Sequence, residues 1–106
     1  MQLIKEAPTD VQAALDRFSG QAAYIHAELI PGGFLRNMRV HIREAYLRGG
    51  DRCRVALRCA DDAWVRMEDL THWEIDREDR LIFCAFGDEQ QRLARTLEVS
   101  LRPFPA

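Results

Sequence analysis

Lysine appears once in this chain, at Lys5, serine twice, at Ser19 and Ser100, and cysteine three times, at Cys53, Cys59 and Cys84. Long apolar runs are missing. The longest strongly apolar stretch, Leu81 to Phe86, is six residues, whereas a membrane-spanning helix needs about 20. Met1 to Glu6 lacks the apolar centre and small-residue cleavage site of a secretory signal, so no membrane association and a cytoplasmic location are expected. The cysteines form neither an even set nor a Cys-x-x-Cys pair, which fits free thiols in a reducing compartment. Neither serine has a Gly-x-Ser-x-Gly setting. His26, His41 and His72 show no His-x-x-x-His or His-Glu-x-x-His spacing. Gly32-Gly33-Phe34 leads into a strand pattern and lacks the Lys-Thr or Lys-Ser of a phosphate loop. No catalytic residue, no metal site and no cofactor are therefore expected. The 15 basic and 17 acidic residues leave a net charge of −2 and a pI near 5.9, which argues against a nucleic-acid partner. Fourteen of the basic residues are Arg, a bias that reads as codon usage.

What is present is the composition of a globular protein, 47% hydrophobic and 30% charged over 106 residues. That length allows one domain, residues 1–106, with a thin core, and dimerisation would be a natural way to bury more surface. One helix is predicted over residues 9–19. Pro8, Thr9 and Asp10 start it, Gly20 stops it, and Val11, Ala14, Leu15 and Phe18 make one apolar stripe. From Gln21 onward the period is two. Strands are expected from Tyr24 to Ile30 and from Phe34 to Arg48, the second ending at a Gly49-Gly50-Asp51 hairpin turn. In the return strand Cys53, Val55, Leu57 and Cys59 alternate with Arg52, Arg54, Ala56 and Arg58, so one face is apolar and holds two of the thiols. Further strands follow around Ala63 to Met67, Trp73 to Ile75, Leu81 to Phe86 and Leu93 to Leu101.

A straight strand from Phe34 to Arg48 would reach about 50 Å, too long for a domain whose radius of gyration should be near ~13 Å. It must bend, and the consecutive apolar residues Ala45, Tyr46 and Leu47 place a bulge near Glu44. The expected fold is mainly β with one N-terminal helix, in a curled antiparallel sheet or small β-barrel. The tail from Arg102 to Ala106, with Pro103 and Pro105, cannot sit in a central strand and is expected to fray or pack on a neighbour.

Charge is uneven. Residues 34–59 hold seven Arg against Glu44 and Asp51, a local +5, and residues 60–91 carry a local −7. Cross-strand ion pairs explain such blocks; unpaired Arg39, Arg54 and Arg58 lying side by side would instead mark a face for an anionic ligand or acidic partner. The segment Trp64 to Glu74 sets two tryptophans among carboxylates and an imidazole. Such a cluster either caps an end of a small barrel, lines a ligand cleft or presents a partner surface.

Phe34-Leu35-Arg36-Asn37, Arg54-Val55-Ala56-Leu57, Trp64-Val65, Leu70-Thr71-His72-Trp73-Glu74 and Arg80-Leu81, in this order, resemble the YojF family of small bacterial proteins. The resemblance implies a compact β-rich cytoplasmic fold of uncharacterised function, whose genes often lie beside that of the deacetylase of bacillithiol biosynthesis. The connection from Leu29 to Gly33 is shorter here than in the family pattern. Two readings follow. One is a non-catalytic, self-associating protein, a homodimer, that acts as accessory or regulatory partner of that deacetylase. The other is a binding module for an anionic or sugar-like small molecule, or a minor enzyme, with a cleft formed by Arg36, Asn37, Trp64, His72 and Trp73.

Overall fold

The computed structural model describes residues 1–87 and 90–105. Asp88 and Glu89 of the acidic block and Ala106 of the tail lie outside the described residues. The two-residue rhythm becomes eight antiparallel strands: β1 (Gln2–Leu3), β2 (Ala22–Leu29), β3 (Gly33–Gly49), β4 (Cys53–Cys59), β5 (Trp64–Leu70), β6 (His72–Ile75), β7 (Leu81–Phe86) and β8 (Leu93–Ser100). Their order across one sheet is β1-β6-β7-β8-β2-β3-β4-β5. The radius of gyration is 12.9 Å, so the 17-residue β3 has to curve.

It curves at two bulges. The register with β4 shifts between Ile42 and Glu44, beside the expected position. A second shift lies against β2, where Arg36 and Asn37 together oppose His26 alone. Asn37 takes a positive φ of 55° there, a conformation that Asn tolerates better than most residues. This second bulge puts Leu35 and Met38, three residues apart, on the same face of β3, opposite Ala27 and Ile25.

The helix α1 spans Pro8–Asp16, ending three residues earlier than predicted. Its end tightens into i→i−3 bonds, Phe18 N–H to Leu15 O and Ser19 N–H to Asp16 O. Phe18 is still buried, with Val11, Ala14 and Leu15. The Gln12 amide docks the helix on β3: its Nε2 donates to Ala45 O at 3.0 Å, and Leu47 N–H donates to its Oε1 at 3.0 Å. The core lines the inner face of the curled sheet, with Ile25, Ile42, Val55, Leu57, Phe83 and Leu97 buried within it.

The small-barrel alternative is corrected. The edge strands β1 and β5 do not pair among the described residues, so the sheet curls without closing. A two-residue β1 offers too little ladder, and β5 turns away at Asp69, where φ is 59°. The chain nevertheless crosses between the two sides through one residue, Thr71. Its N–H donates to Cys84 O at 3.1 Å and its carbonyl accepts from Ile4 N–H at 2.9 Å. Arg95 on β8 reaches across to Glu68 O at 3.3 Å.

Candidate functional site

The β3–β4–β5 register sets the outer face in rows. Glu44, Arg58 and Trp64 form one row, and Tyr46, Ala56 and Arg66 the next. Arg48 opposite Arg54 makes the third. Ala56 is by far the smallest of these side chains and sits at the centre, so the surface dips there. The result is an open trough of about 450 Å³ lined by Tyr46, Arg48, Arg54, Ala56, Trp64 and Arg66, within the usual range for small-molecule sites.

Its aromatic wall is Trp64 stacked on Tyr46, with ring centroids 6.3 Å apart and planes inclined by 25°. Trp64 is 56% exposed, so its remaining face is open to a ligand. Arg48 lies over the other part of the wall, its guanidinium carbon 5.4 Å from the Tyr46 centroid. The Tyr46 hydroxyl donates to Glu44, which Arg58 also holds. Those two hydrogen bonds pull the Glu44 carboxyl below its ordinary value, and the bond to Glu44 pushes the Tyr46 phenol up. Tyr46 is therefore a fixed wall with no tendency to ionise near neutrality. Arg54 is paired with Glu68 at 2.5 Å. Among the described residues, Arg48 and Arg66 form no ion pair, and their charges face the trough. Arg54 and Arg58 thus follow the cross-strand pairing expected of the charge blocks: both have a carboxylate partner one strand away.

The five expected ligand residues fall in three places. Trp64 is in the trough. His72 and Trp73 lie on β6, on the far side of the sheet. The imidazole Nδ1 of His72 is 2.7 Å from Thr71 Oγ1 and its ring meets Phe86 edge-on, while Trp73 packs against the core and lines a different cavity with Met1, Gln2, Glu74 and Ile75. Arg36 and Asn37, at the second bulge, hold the tail. Asn37 Oδ1 accepts from Phe104 N–H at 2.6 Å, its Nδ2 donates to Phe104 O at 3.0 Å, and Arg36 donates to Pro105 O at 3.2 Å. Phe104 is 7% exposed. Its ring lies between His26, with centroids 5.6 Å apart, and the Arg80 guanidinium, 5.5 Å away. The tail packs on its own sheet through Pro105.

A model of the family described as "Protein of unknown function (DUF1806)" matches residues 4–104. The chain belongs to this family. It is 31% identical over 116 residues to the "Uncharacterized protein YojF" of Bacillus subtilis (strain 168), an alignment covering 96% of each. The crystal structure of the Bacillus subtilis YojF protein matches with a TM-score of 0.83 at 31% identity, over 100% of this chain and 97% of that one.

In this DUF1806 chain the thiols stand apart from the trough. Cys53, Cys59 and Cys84 are all buried and free, and burial pushes each above its ordinary pKa, with Asp51 adding to the effect at Cys53. A thiolate nucleophile is disfavoured at all three. No group of three or more His, Cys, Asp or Glu among the described residues is placed to hold a metal ion. His41 is exposed, whereas His26 is buried beside Glu98, Nε2 to Oε2 being 3.6 Å. Burial outweighs the nearby cations at Glu98 and raises its pKa.

Asp76 behaves oppositely. Burial alone would raise its pKa, but the N–H groups of Arg80 and Glu78 and the Arg80 guanidinium at 2.6 Å more than offset it, and the net shift is downward. A depressed carboxyl contributes stability above its unfolded value, and that contribution disappears as pH falls through the folded one. Asp76→Ala is expected to lose about 1–2 kcal/mol near neutral pH and to converge on the native protein in strong acid. Denaturant titrations at the two pH values check this, and a gap that persists unchanged in acid would refute it.

The residues missed by sequence reasoning are Tyr46, Arg48, Ala56 and Arg66. The signal was available in the Gly49-Gly50 turn, which fixes Arg48 opposite Arg54 and hence Tyr46 opposite Ala56.

Proposed function

We propose that this protein is a non-catalytic binding module whose β3–β5 trough takes an anionic small molecule with a planar or apolar body. One observation carries the reading: a half-exposed indole shares a trough with two guanidinium groups that have no carboxylate partner among the described residues, around a dip at Ala56. The indole face would cover the apolar body by stacking, and Arg48 and Arg66 would hold the anionic group. Trp64 is kept from the expected ligand set; Arg36, Asn37, His72 and Trp73 are not part of this site.

The test is titration of tryptophan fluorescence with aromatic carboxylates and aryl phosphates, against inorganic phosphate and neutral aromatics as controls. Aromatic anions are expected to saturate the signal, more weakly at high salt. Trp64→Ala and Arg66→Ala should each weaken binding about tenfold with little change in melting temperature, since both side chains are exposed. Equal response to neutral and anionic aromatics, or undiminished binding by Trp64→Ala, would rule the reading out.

A second reading is supported by the apolar surface at Trp64 and at Phe34, which is 60% exposed. Here these residues meet protein, either a second copy or the bacillithiol-biosynthesis deacetylase to which the family resemblance points. Co-purification with the cognate deacetylase, and its rate with and without this protein, decide that case.

A further inference from the structure

The backbone of Phe104 in the tail is held by one side-chain amide, that of Asn37. Between Pro103 and Pro105 the backbone has a single N–H, that of Phe104, so the segment cannot join the ladder as a strand. Asn37 takes that one N–H and returns a donor to the carbonyl of the same residue. One side-chain amide thus does what a neighbouring strand would do, and the left-handed bulge points it there. The remaining walls of the notch are equally independent of the tail. His26 is fixed in β2 between β3 and β8, with Phe34 edge-on at 5.2 Å. Arg80 is fixed by Asp76 at 2.6 Å.

We propose that this notch is a receptor for the C-terminal arm, residues 102–105, and that it accepts the arm of a second copy as well as its own. Three features support an exchange. The contacts fastening the ring and backbone of Phe104 join the arm to the body of the sheet by side chains alone, so they are the same whether the arm arrives from the same chain or another, and swapping them forfeits none. The arm departs at Leu101, which is 49% exposed, where among the described residues the hydrogen bond is the local one from Arg102 N–H to Ser100 Oγ at 3.2 Å. Finally, the notch is flanked by exposed Phe34, with the Arg36 guanidinium 5.5 Å from its ring centre, so two copies exchanging short arms would also cover an apolar patch that one copy leaves open. The partner is a second copy because its arm carries the Pro-Phe-Pro chemistry that the notch is seen to fit.

The decisive experiment uses full-length variants. Asn37→Gly removes the amide while keeping the residue free to adopt the bulge conformation; Phe104→Ala removes the arm's ring. Native protein should show a dimer fraction that rises with concentration in light scattering, and each variant should lose it, with a dissociation constant weakened about 100-fold. Mixing the two variants should yield a one-to-one heterodimer in native mass spectrometry, because one sound arm meets one sound notch. A synthetic Arg-Pro-Phe-Pro-Ala peptide should bind the Phe104→Ala protein and fail to bind the same protein carrying Asn37→Gly. A native protein that stays monomeric at every concentration, variants that dimerise as the native protein does, or a mixture without heterodimer would overturn the proposal. It stands apart from the trough, so Trp64→Ala should leave the exchange intact.

Discussion

Phe83→Ala is expected to remove about 3–5 kcal/mol of folding free energy, a large part of the roughly 5–15 kcal/mol that holds a typical native protein together. Phe83 is fully buried on the inner face of β7, directly between Trp73 of β6 and Leu97 of β8. The emptied volume cannot collapse easily, because both neighbouring strands are tied to β7 by their ladders and the inner face is already covered. The control is the next residue: Ile82 points outward between Glu74 and Glu98 and is only half-buried, so Ile82→Ala should cost far less. Denaturant unfolding of both variants measures the difference. Equal losses would mean that the two faces of β7 do not divide into core and surface.

The second large effect is expected at Gly49, which closes the β3–β4 hairpin opposite Cys53. Its φ is 115°, and an added Cβ would lie 2.4 Å from Arg52 O and 3.1 Å from Cys53 Cα. Both are main-chain atoms within the same turn, so neither can move aside without breaking the turn. Gly49→Ala should therefore cost about 3 kcal/mol or more. Gly50 is the contrast, since nothing lies within 4 Å of a Cβ built there, and Gly50→Ala should be near neutral. A further readout follows from position. Cys53 Sγ is 3.3 Å from Gly50 O, and Arg48 and Arg54 flank the turn. Gly49→Ala should therefore speed thiol labelling of Cys53 and weaken ligand binding in the trough, whereas Gly50→Ala should do neither. Similar unfolding midpoints for the two alanine variants would refute the strain argument.

Much of this architecture was legible because it is governed by local pattern. The apolar stripe of α1, the alternation of β4 and the Gly49-Gly50-Asp51 turn each specify their geometry within a few residues, and the bend near Glu44 follows from a break in that alternation. The buried thiols at Cys53 and Cys59 follow from the same parity. The sequence hid whatever depends on partners far along the chain. Arg36 and Asn37 look like ligand residues until the structure brings residues 104 and 105 onto them. Trp64 and Trp73 are nine residues apart, yet Thr71 carries the chain from one side of the sheet to the other between them, so they cannot share a cleft. The ion pair of Arg54 with Glu68 likewise needs the β4–β5 register, which composition does not contain.

The strand order also dictates when a nascent chain can complete this protein. Within β2 to β5 every ladder joins sequence neighbours, and β6 pairs with β7 and with the short β1, but the two groups meet through β8, which lies between β7 and β2. Tyr24 waits for Ser100. Until residues 93–100 have left the ribosome, the two parts have no common ladder and one side of β2 is an open template. Synthesis halted before Leu93 would release two unjoined meanders, and quality-control proteases rather than the missing partner would meet that bare edge first.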